Sequence, residues 1–162
     1  MVSRSYPRKI VNLESVWLCS EGPPGIGKIN KGQNSKAAVK RGLSYERKAL
    51  KHLRQMNLPG ERHEHQWLGF MDNNGRGWAQ PDVYWIMPEL ILVGEAKLTQ
   101  TFTAIKQVKD LYRPLLAKLY DKPVIGFQIC KGLRKVDPYL IKHPTALLAS
   151  NTDMICCYHY IG

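Results

Sequence analysis

The strongest structural signal in the chain is the run Gln80-Pro81-Asp82-Val83-Tyr84-Trp85-Ile86-Met87-Pro88-Glu89-Leu90-Ile91-Leu92-Val93-Gly94-Glu95-Ala96-Lys97. Two apolar segments flank a short turn at residues 87–90, a pattern typical of an antiparallel hairpin. A symmetric turn pairs Asp82 with Glu95 and brings their Cβ atoms to about 5 Å. Because side chains alternate along a strand, Lys97 shares the face of Glu95, whereas Ala96 points to the other side. The sequence therefore predicts two carboxylates and a lysine at the open end of one hairpin.

Two facing carboxylates repel each other by roughly 4 kcal/mol at 4 Å when the effective dielectric constant is 20. A hard cation between Asp82 and Glu95 removes that repulsion, and Mg²⁺ takes one or two carboxylates together with waters and substrate phosphate oxygens. The Lys97 ammonium group can orient the attacking water, lower its pKa or offset the charge of the phosphate. The hairpin therefore predicts a site for phosphodiester hydrolysis, with Mg²⁺ as cofactor and Mn²⁺ as a substitute.

A helix is predicted over residues 35–57, which are followed by the helix-ending sequence Leu58-Pro59-Gly60. Glu46 falls on the apolar stripe of this helix, so we expect it near the hairpin, where it supplies a further oxygen ligand directly or through water. The apolar stripe itself consists of Leu43, Ala49, Leu50 and Leu53. Basic residues that we expect to contact nucleic acid from this helix are Lys36, Lys40, Arg41, Arg47 and Lys51.

Three strands are predicted at residues 65–70, 79–86 and 90–96, arranged as an antiparallel meander. A second helix spans residues 101–120, where Pro114 bends or divides it. Its inward side chains are predicted to be Phe102, Ile105, Val108, Tyr112, Leu115 and Leu119. Its basic residues, which we expect to contact nucleic acid, are Lys106, Lys109 and Arg113.

The chain continues with a predicted strand at residues 124–130, a short helix at 138–149 and a closing strand at 154–161. The element order is therefore α, β, β, β, α, β, α, β. This order indicates the α/β class, with one mixed sheet in an α+β arrangement.

Charge limits the kind of partner. The 162 residues are enough for one globular domain. They carry 24 Lys and Arg against 13 Asp and Glu, a net charge of +11, which favours a polyanionic partner, with nucleic acid as the first expectation. Residues 1–34 are predicted to form a loosely structured basic arm with at most a short strand within 11–19, and residues 35–162 to form the domain. A membrane partner is not expected, because no segment pairs a basic face with a Trp- and Leu-rich face.

The hydrophobic segments and the cysteines indicate where the protein is located. No apolar run approaches the ~18 residues of a membrane span and the first residues lack a signal-peptide pattern, so we expect a cytoplasmic protein. The four cysteines, which we expect to be reduced and mostly buried, are Cys19, Cys130, Cys156 and Cys157.

Three motif-like segments are not expected to carry function. Residues 22–28 fit the phosphate-loop pattern G-x-x-x-x-G-K, but Ile29 occupies the place of the Ser or Thr that binds Mg²⁺, so no nucleotide is expected. Two His- or Cys-containing groups lack four zinc ligands at the usual spacing and are expected to be ordinary surface or core residues: His63-Glu64-His65, and Cys156 with Cys157 and His159.

Pro81-Asp82 and Glu95-Ala96-Lys97 together resemble the motif that names the PD-(D/E)XK nuclease superfamily, and Gly42-Leu43-Ser44-Tyr45-Glu46 resembles its helix motif. The element order from residue 42 to about residue 130 is similar to the restriction-endonuclease-like αβββαβ core of that superfamily. The resemblance implies that Asp82, Glu95 and the Ala96 main-chain carbonyl bind metal, that Lys97 positions the nucleophile and that Glu46 assists.

Two narrower likenesses bear on the type of nuclease. Gln107 is similar to a glutamine of the exonuclease branch, in which a tyrosine follows four residues later; here that place is Leu111 and the tyrosine is Tyr112. Residues 41–53 resemble the opening helix of small archaeal and phage-type Holliday junction resolvases, which are basic, single-domain and dimeric. This likeness implies a homodimer and, for a phage-encoded enzyme, location in the host cytoplasm.

The sequence thus predicts a divalent-metal-dependent DNA endonuclease that cleaves branched or junction DNA in recombination, repair or phage DNA processing. An exonuclease or an end- or flap-processing nuclease of the same superfamily is an alternative that uses the same residues. A non-catalytic nucleic-acid-binding protein is the alternative from another class.

Overall fold

The computed structural model describes residues 8–23, 37–133, 140–141 and 155–162. The α-helices within these ranges are α1 (Ala37–Gln55), α2 (Phe102–Lys106) and α3 (Arg113–Tyr120), and the segment Gln107–Tyr112 is a π-helix. The strands are β1 (Ser15–Cys19), β2 (Glu61–Glu64), β3 (Trp67–Asp72), β4 (Gly75–Ala79), β5 (Val83–Ile86), β6 (Ile91–Thr99), β7 (Val124–Gly132), β8 (Leu140–Ile141) and β9 (Cys156–His159).

The strands form two sheets. The larger sheet has the order β2-β5-β6-β7-β9-β8, antiparallel from β2 to β6 and parallel from β6 onward, and the smaller is an antiparallel sheet of order β1-β3-β4. One face of the large sheet packs on α1, and the other packs on the π-helix, α3 and the inner face of the small sheet. The mixed α/β class expected from the sequence is confirmed.

The hairpin register predicted for β5 and β6 is confirmed, because Ile86 pairs with Ile91 and Val83 pairs with Gly94. The meander is wrong, however, since β3 pairs with β1 and β4 in the small sheet, and β5 instead borders β2, which the sequence analysis missed. The predicted strand 79–86 is interrupted at residues 80–82. Pro81 lies there and has no N–H for a ladder hydrogen bond, so the chain leaves one sheet before entering the other.

Helix α1 buries a different face from the one predicted. Ala49, Leu50 and Leu53 are buried as expected, but Leu43 is 47% exposed and Tyr45 takes its place in the core. The Tyr45 hydroxyl donates to the Tyr160 carbonyl oxygen at 2.9 Å, which fixes this rotation. Glu46 therefore lies at the edge of the buried stripe rather than on it, with its side chain 25% exposed.

The predicted second helix is divided by the π-helix before Pro114, which lies in the first turn of α3. Its buried residues include Val108, Tyr112 and Leu115, as predicted, whereas Ile105 and Leu119 are only partly buried. The inward position predicted for Phe102 is wrong: its side chain is 70% exposed at the start of α2, where the Lys106 ammonium lies 5.1 Å from the ring centroid.

Residues 8–23 of the predicted arm are not loosely structured. Strand β1 pairs with β3 along its whole length, and the Arg8 guanidinium forms an ion pair with Asp72, whose side chain is fully buried. The strand expected within 11–19 is thus present as β1. The remainder of the arm lies outside the described residues.

The closing strand is present as β9, parallel to β7. The helix predicted at 138–149 is wrong at residues 140–141, which form β8 next to β9, and its other residues lie outside the described ranges. The four cysteines are reduced, as expected, and the buried ones are Cys130, Cys156 and Cys157. Among the described helices, none combines the length and the apolar composition required to cross a membrane.

Candidate active site

Asp82 and Glu95 meet where the β5–β6 hairpin opens. Asp82 precedes β5, and its Oδ2 accepts a hydrogen bond from the Ala96 main-chain N–H at 2.8 Å. Glu95 lies within β6 and is 3% exposed. Lys97 follows two residues later on the same face, with its Nζ 3.1 Å from Glu95 Oε1. The confirmed register thus brings the three groups together.

The electrostatics of this group disfavour full ionisation without a further cation. Burial raises the pKa of Glu95, the negative charge of Asp82 raises it further, and Lys97 only partly opposes this change. Burial likewise raises the pKa of Asp82, although the hydrogen bond from the Ala96 N–H favours its charged form. Lys97 alone is therefore insufficient to balance the buried Glu95 carboxylate and the half-buried Asp82 carboxylate beside it.

The second oxygen of Glu95, Oε2, is buried and accepts no hydrogen bond from the described residues. A buried carboxylate oxygen without a partner costs about 1–3 kcal/mol or more, because it has lost its hydration. A hard cation is a partner that satisfies such an oxygen. The chemistry of Glu95 and Asp82 therefore fits a divalent cation.

Glu46 and His65 extend the group on the side of α1 and β2. Ligand atoms of Glu46, His65 and Asp82 all lie within 4.8 Å of one another, with His65 Nε2 3.5 Å from Glu46 Oε1. Burial and the charge of Asp82 raise the pKa of Glu46. Two carboxylates and an imidazole can together hold a divalent cation of the Mn²⁺ type.

His65, which the sequence analysis expected to be an ordinary surface or core residue, lies beside Glu46 and Asp82. Strand β2 pairs with β5 so that Glu64 faces Val83, which places His65 beside Asp82. The His65 N–H donates to the Asp82 carbonyl oxygen at 3.1 Å, and His65 takes a left-handed backbone conformation with φ of 51°. Only the pairing of β2 with β5 brings His65 to Asp82, and no local pattern in residues 61–65 indicates that pairing.

Ala96 and Gln107, which the sequence analysis also assigned to the site, lie next to Glu46 and Lys97. Ala96 and Gln107 line a cleft of about 770 Å³ together with Glu46 and Lys97. The Gln107 amide donates to the Tyr112 hydroxyl, which in turn donates to the Gln80 carbonyl oxygen at 3.1 Å. The role of the Ala96 carbonyl as a metal ligand stays a prediction.

The contact between Gln107 and Tyr112 depends on the π-helix. In an α-helix, residues four apart lie above each other, whereas the wider π turn hydrogen-bonds residues five apart. The tyrosine that follows Gln107 by five residues is thereby turned toward it. Burial and the charges of Glu95 and Asp82 raise the pKa of Tyr112 well above its ordinary value, so its hydroxyl stays protonated beside them.

The predicted nucleic-acid contacts fall into separate groups. Lys40, Arg41, Arg47 and Lys51 are exposed on α1, and Lys106 covers Phe102. Lys109 and Arg113 line a second cleft of about 510 Å³ with Lys9. Within the part of the chain that the structure describes, this second cleft shares no lining residue with the cleft of Glu46 and Lys97. Lys36 lies outside the described residues.

Comparison with family models, with curated proteins and with solved structures finds no significant match for this chain. The functional argument therefore depends on the geometry and chemistry of the site itself.

Proposed function

We propose that this protein is a divalent-metal-dependent endonuclease that hydrolyses phosphodiester bonds in DNA and belongs to the PD-(D/E)XK type. The observation that carries the proposal is the buried Glu95 carboxylate, which lies beside Asp82 and forms an ion pair with Lys97 at 3.1 Å. A purely structural role does not favour a buried carboxylate next to a half-buried one with a single lysine, because desolvation and repulsion both oppose the charged state.

The metal would be held by Asp82 and Glu95, with Glu46 and His65 as further ligands on the side of α1 and β2. A bound divalent cation supplies Lewis-acid polarisation of the phosphoryl group and neutralises developing negative charge. Asp82 is held in position through its hydrogen bond from the Ala96 N–H. The site is therefore preorganised before substrate arrives.

Lys97 has the geometry to position the nucleophilic water. Its Nζ is held by Glu95 Oε1, yet its side chain is 41% exposed and lines the cleft. The neighbouring carboxylates Glu95 and Asp82 outweigh the effect of burial and raise the pKa of Lys97, so the group is an ammonium ion at neutral pH. An ammonium group at the cleft can donate a hydrogen bond to the attacking water and offset phosphate charge.

Charge supports nucleic acid as the substrate. The net charge of +11 attracts a polyanion, and α1 presents Lys40, Arg41, Arg47 and Lys51 at its surface. Within the described residues no separate sequence-reading unit accompanies the site, which favours recognition of DNA structure such as a branch or junction. Cleavage in recombination, repair or phage DNA processing would follow from that preference.

An exonuclease of the same superfamily is the second candidate. The contact between Gln107 and Tyr112 favours it, because the π-helix compensates for the one-residue displacement of the tyrosine from its expected place. Both candidates use Asp82, Glu95 and Lys97, so they differ in substrate and polarity rather than in the chemical step.

The test is a cleavage assay on labelled four-way junction, flap, linear duplex, single-stranded DNA and RNA, with Mg²⁺, Mn²⁺ or EDTA. We expect metal-dependent cleavage that Lys97→Ala reduces by about 10² or more while substrate binding is retained. Lys118→Ala, which removes an exposed lysine of α3, is the matched control and should cleave at the wild-type rate. Internal products indicate an endonuclease, and stepwise products from one end indicate an exonuclease.

Binding without cleavage under every metal condition would overturn the proposal. The protein would then fit the non-catalytic alternative, in which the basic surface binds phosphates and the carboxylates are structural.

A further inference from the structure

The outer face of the small sheet carries a row of aromatic side chains. Pairing of β1 with β3 places Trp17 beside Gly69, and pairing of β3 with β4 places Trp78 on the other side of Gly69. Residues paired across strands share a face, so the two indoles flank one glycine. Trp17 and Trp78 are both partly exposed.

This face is the outer one because the alternate residues form the core. Leu68 and Phe70, which point to the opposite side of β3, are both 0% exposed and pack on the π-helix and α3. The small sheet is thus covered on one side only. Trp17 and Trp78, on the outer side, are therefore not part of that core.

Gly69 and Arg76 shape the surface between the two indoles. The Trp17 indole occupies the space that a Cβ at Gly69 would need, so the ring lies flat across the strand. The exposed Arg76 has its guanidinium carbon 5.4 Å from the Trp17 ring centroid and 5.9 Å from that of Trp78. We call Trp17, Gly69, Arg76 and Trp78 the aromatic platform.

The aromatic platform adjoins the candidate active site. Trp78 is also a lining residue of the cleft that contains Glu46 and Lys97, and Arg8 lines the same cleft. A chain of nucleotides that crosses the platform at Trp78 would therefore enter the cleft that Lys97 lines. Indole rings and a guanidinium together match a ligand that alternates flat bases with phosphates.

We propose that the aromatic platform binds a single-stranded segment of nucleic acid: the Arg76 guanidinium moves off the two indole rings to pair with a phosphate, and unpaired bases stack on Trp17 and Trp78 in its place. Paired bases in a duplex are already stacked on each other and expose only their edges, so a duplex cannot use the two indoles in this way. The inference deepens the proposed function by naming its substrate class: nucleic acid with an unpaired strand next to the cleaved bond. That link to cleavage rests on the proposed function, whereas the binding itself does not.

The test measures binding in EDTA, so that cleavage plays no part. Fluorescence anisotropy gives the Kd of labelled oligothymidylate, oligouridylate and a blunt duplex of equal length. We expect Trp17→Leu and Trp78→Leu each to raise the single-strand Kd about tenfold, with less than about a twofold change for the duplex. Phe102→Leu, which removes an exposed aromatic ring outside the sheet, is the control and should leave every Kd unchanged. Comparison of the two oligonucleotides decides between DNA and RNA.

Arg76→Ala provides a second variant that leaves the core intact, because the Arg76 side chain is exposed. It should weaken single-strand binding and reduce the slope of log Kd against log salt by about 0.7, the value expected for one phosphate contact. Wild-type single-strand affinity in Arg76→Ala, or equal losses for duplex and single strand in the tryptophan variants, would overturn the inference. Failure of cleavage with intact single-strand binding would instead count against the nuclease proposal alone.

Discussion

At Glu95 the protein buries a carboxyl group beside a second one. The strand pattern places its side chain between apolar neighbours, and Asp82 lies across the hairpin. The resulting rise in the pKa of Glu95 means that the folded protein binds a proton there more tightly than the unfolded chain does. Stability without metal must therefore depend on pH.

Glu95→Gln tests this dependence in EDTA. The raised pKa makes the native state the better proton acceptor, so the free energy of unfolding of the wild type falls as pH rises above the ordinary value of 4.5. The fall is at most about 1.4 kcal/mol per pH unit for one group. The glutamine variant cannot ionise, so its free energy of unfolding should change less over the same range. Urea unfolding at successive pH values measures the free energy of unfolding of the wild type and of the variant. If the two free energies changed with pH in the same way, the raised pKa of Glu95 would be contradicted.

His65 is expected to influence which cation binds. Imidazole nitrogen favours Mn²⁺ and later transition metals over Mg²⁺, which prefers oxygen ligands. We predict that His65→Ala weakens Mn²⁺ binding by about tenfold or more, since loss of a ligand should cost at least as much as loss of a group that only orients one, and Mg²⁺ binding by less. Calorimetric titration measures the affinities. His63→Ala is the control, because His63 stacks on Tyr84 and lies outside the Glu46–His65–Asp82 group. Equal losses for both cations would argue that His65 is not a ligand.

At the level of elements, the π-helix determines which side chains of the segment from α2 to α3 lie near Asp82 and Glu95. A π turn is less stable than an α turn and persists where its geometry gives a specific contact. Here that contact joins Gln107, Tyr112 and the Gln80 carbonyl. Gln80 immediately precedes Pro81 and Asp82, so the π-helix supports the loop that carries the metal ligand.

Tyr112→Phe removes this support. The change leaves the Gln107 amide and the Gln80 carbonyl without the hydroxyl, which should lower the free energy of unfolding by about 1–2 kcal/mol. It should also weaken Mn²⁺ binding, because the loop that carries Asp82 loses its support at Gln80 while the hydrogen bond from the Ala96 N–H remains. Tyr120→Phe is the matched control: it removes the hydroxyl that bonds to Tyr84 at 2.9 Å, away from Asp82. A stability loss with unchanged Mn²⁺ affinity would show that Tyr112 is structural only.

Asp72 in the small sheet binds the segment before β1, through Arg8 and the Val11 N–H. Burial alone would raise the pKa of Asp72, but hydrogen bonds from the Val11 and Asn74 N–H groups and the Arg8 guanidinium lower it below 3.8. A lowered pKa stabilises the fold above pH 3.8, and the stabilisation is lost as pH falls through the pKa of the folded state. Asp72→Asn should lower Tm at pH 7, and its difference from the wild type should narrow below pH 3.8. A constant difference at all pH values, measured by thermal unfolding, would contradict this account.

Over the whole molecule, the sequence predicted those structural features that depend on residues close together in the chain. The tight turn at residues 87–90 defines the β5–β6 register, so the meeting of Asp82 with Glu95 and Lys97 could be derived. Pairings between distant segments could not be derived. Strand β2 joins β5 and β1 joins β3 across intervening elements, and His65 reaches the site only through the first of these pairings.

The same limit explains the errors in the helices. The apolar residues of α1 allow two neighbouring faces to be buried, and the contact of Tyr45 with the distant Tyr160 selects one. Leu43 then lines the cleft instead of the core. The π-helix likewise depends on tertiary contacts of Tyr112, and the residues from 107 to 112 carry no local signal for it.

Thermal unfolding of the whole protein with and without Mn²⁺ tests most directly whether the open end of the hairpin holds a divalent cation. A ligand that binds only the folded state at 100 times its Kd stabilises it by about 2.7 kcal/mol. We predict that Mn²⁺ raises the Tm of the wild type accordingly and that Asp82→Asn abolishes the increase. An unchanged Tm in the wild type, or an equal increase in Asp82→Asn, would contradict the account.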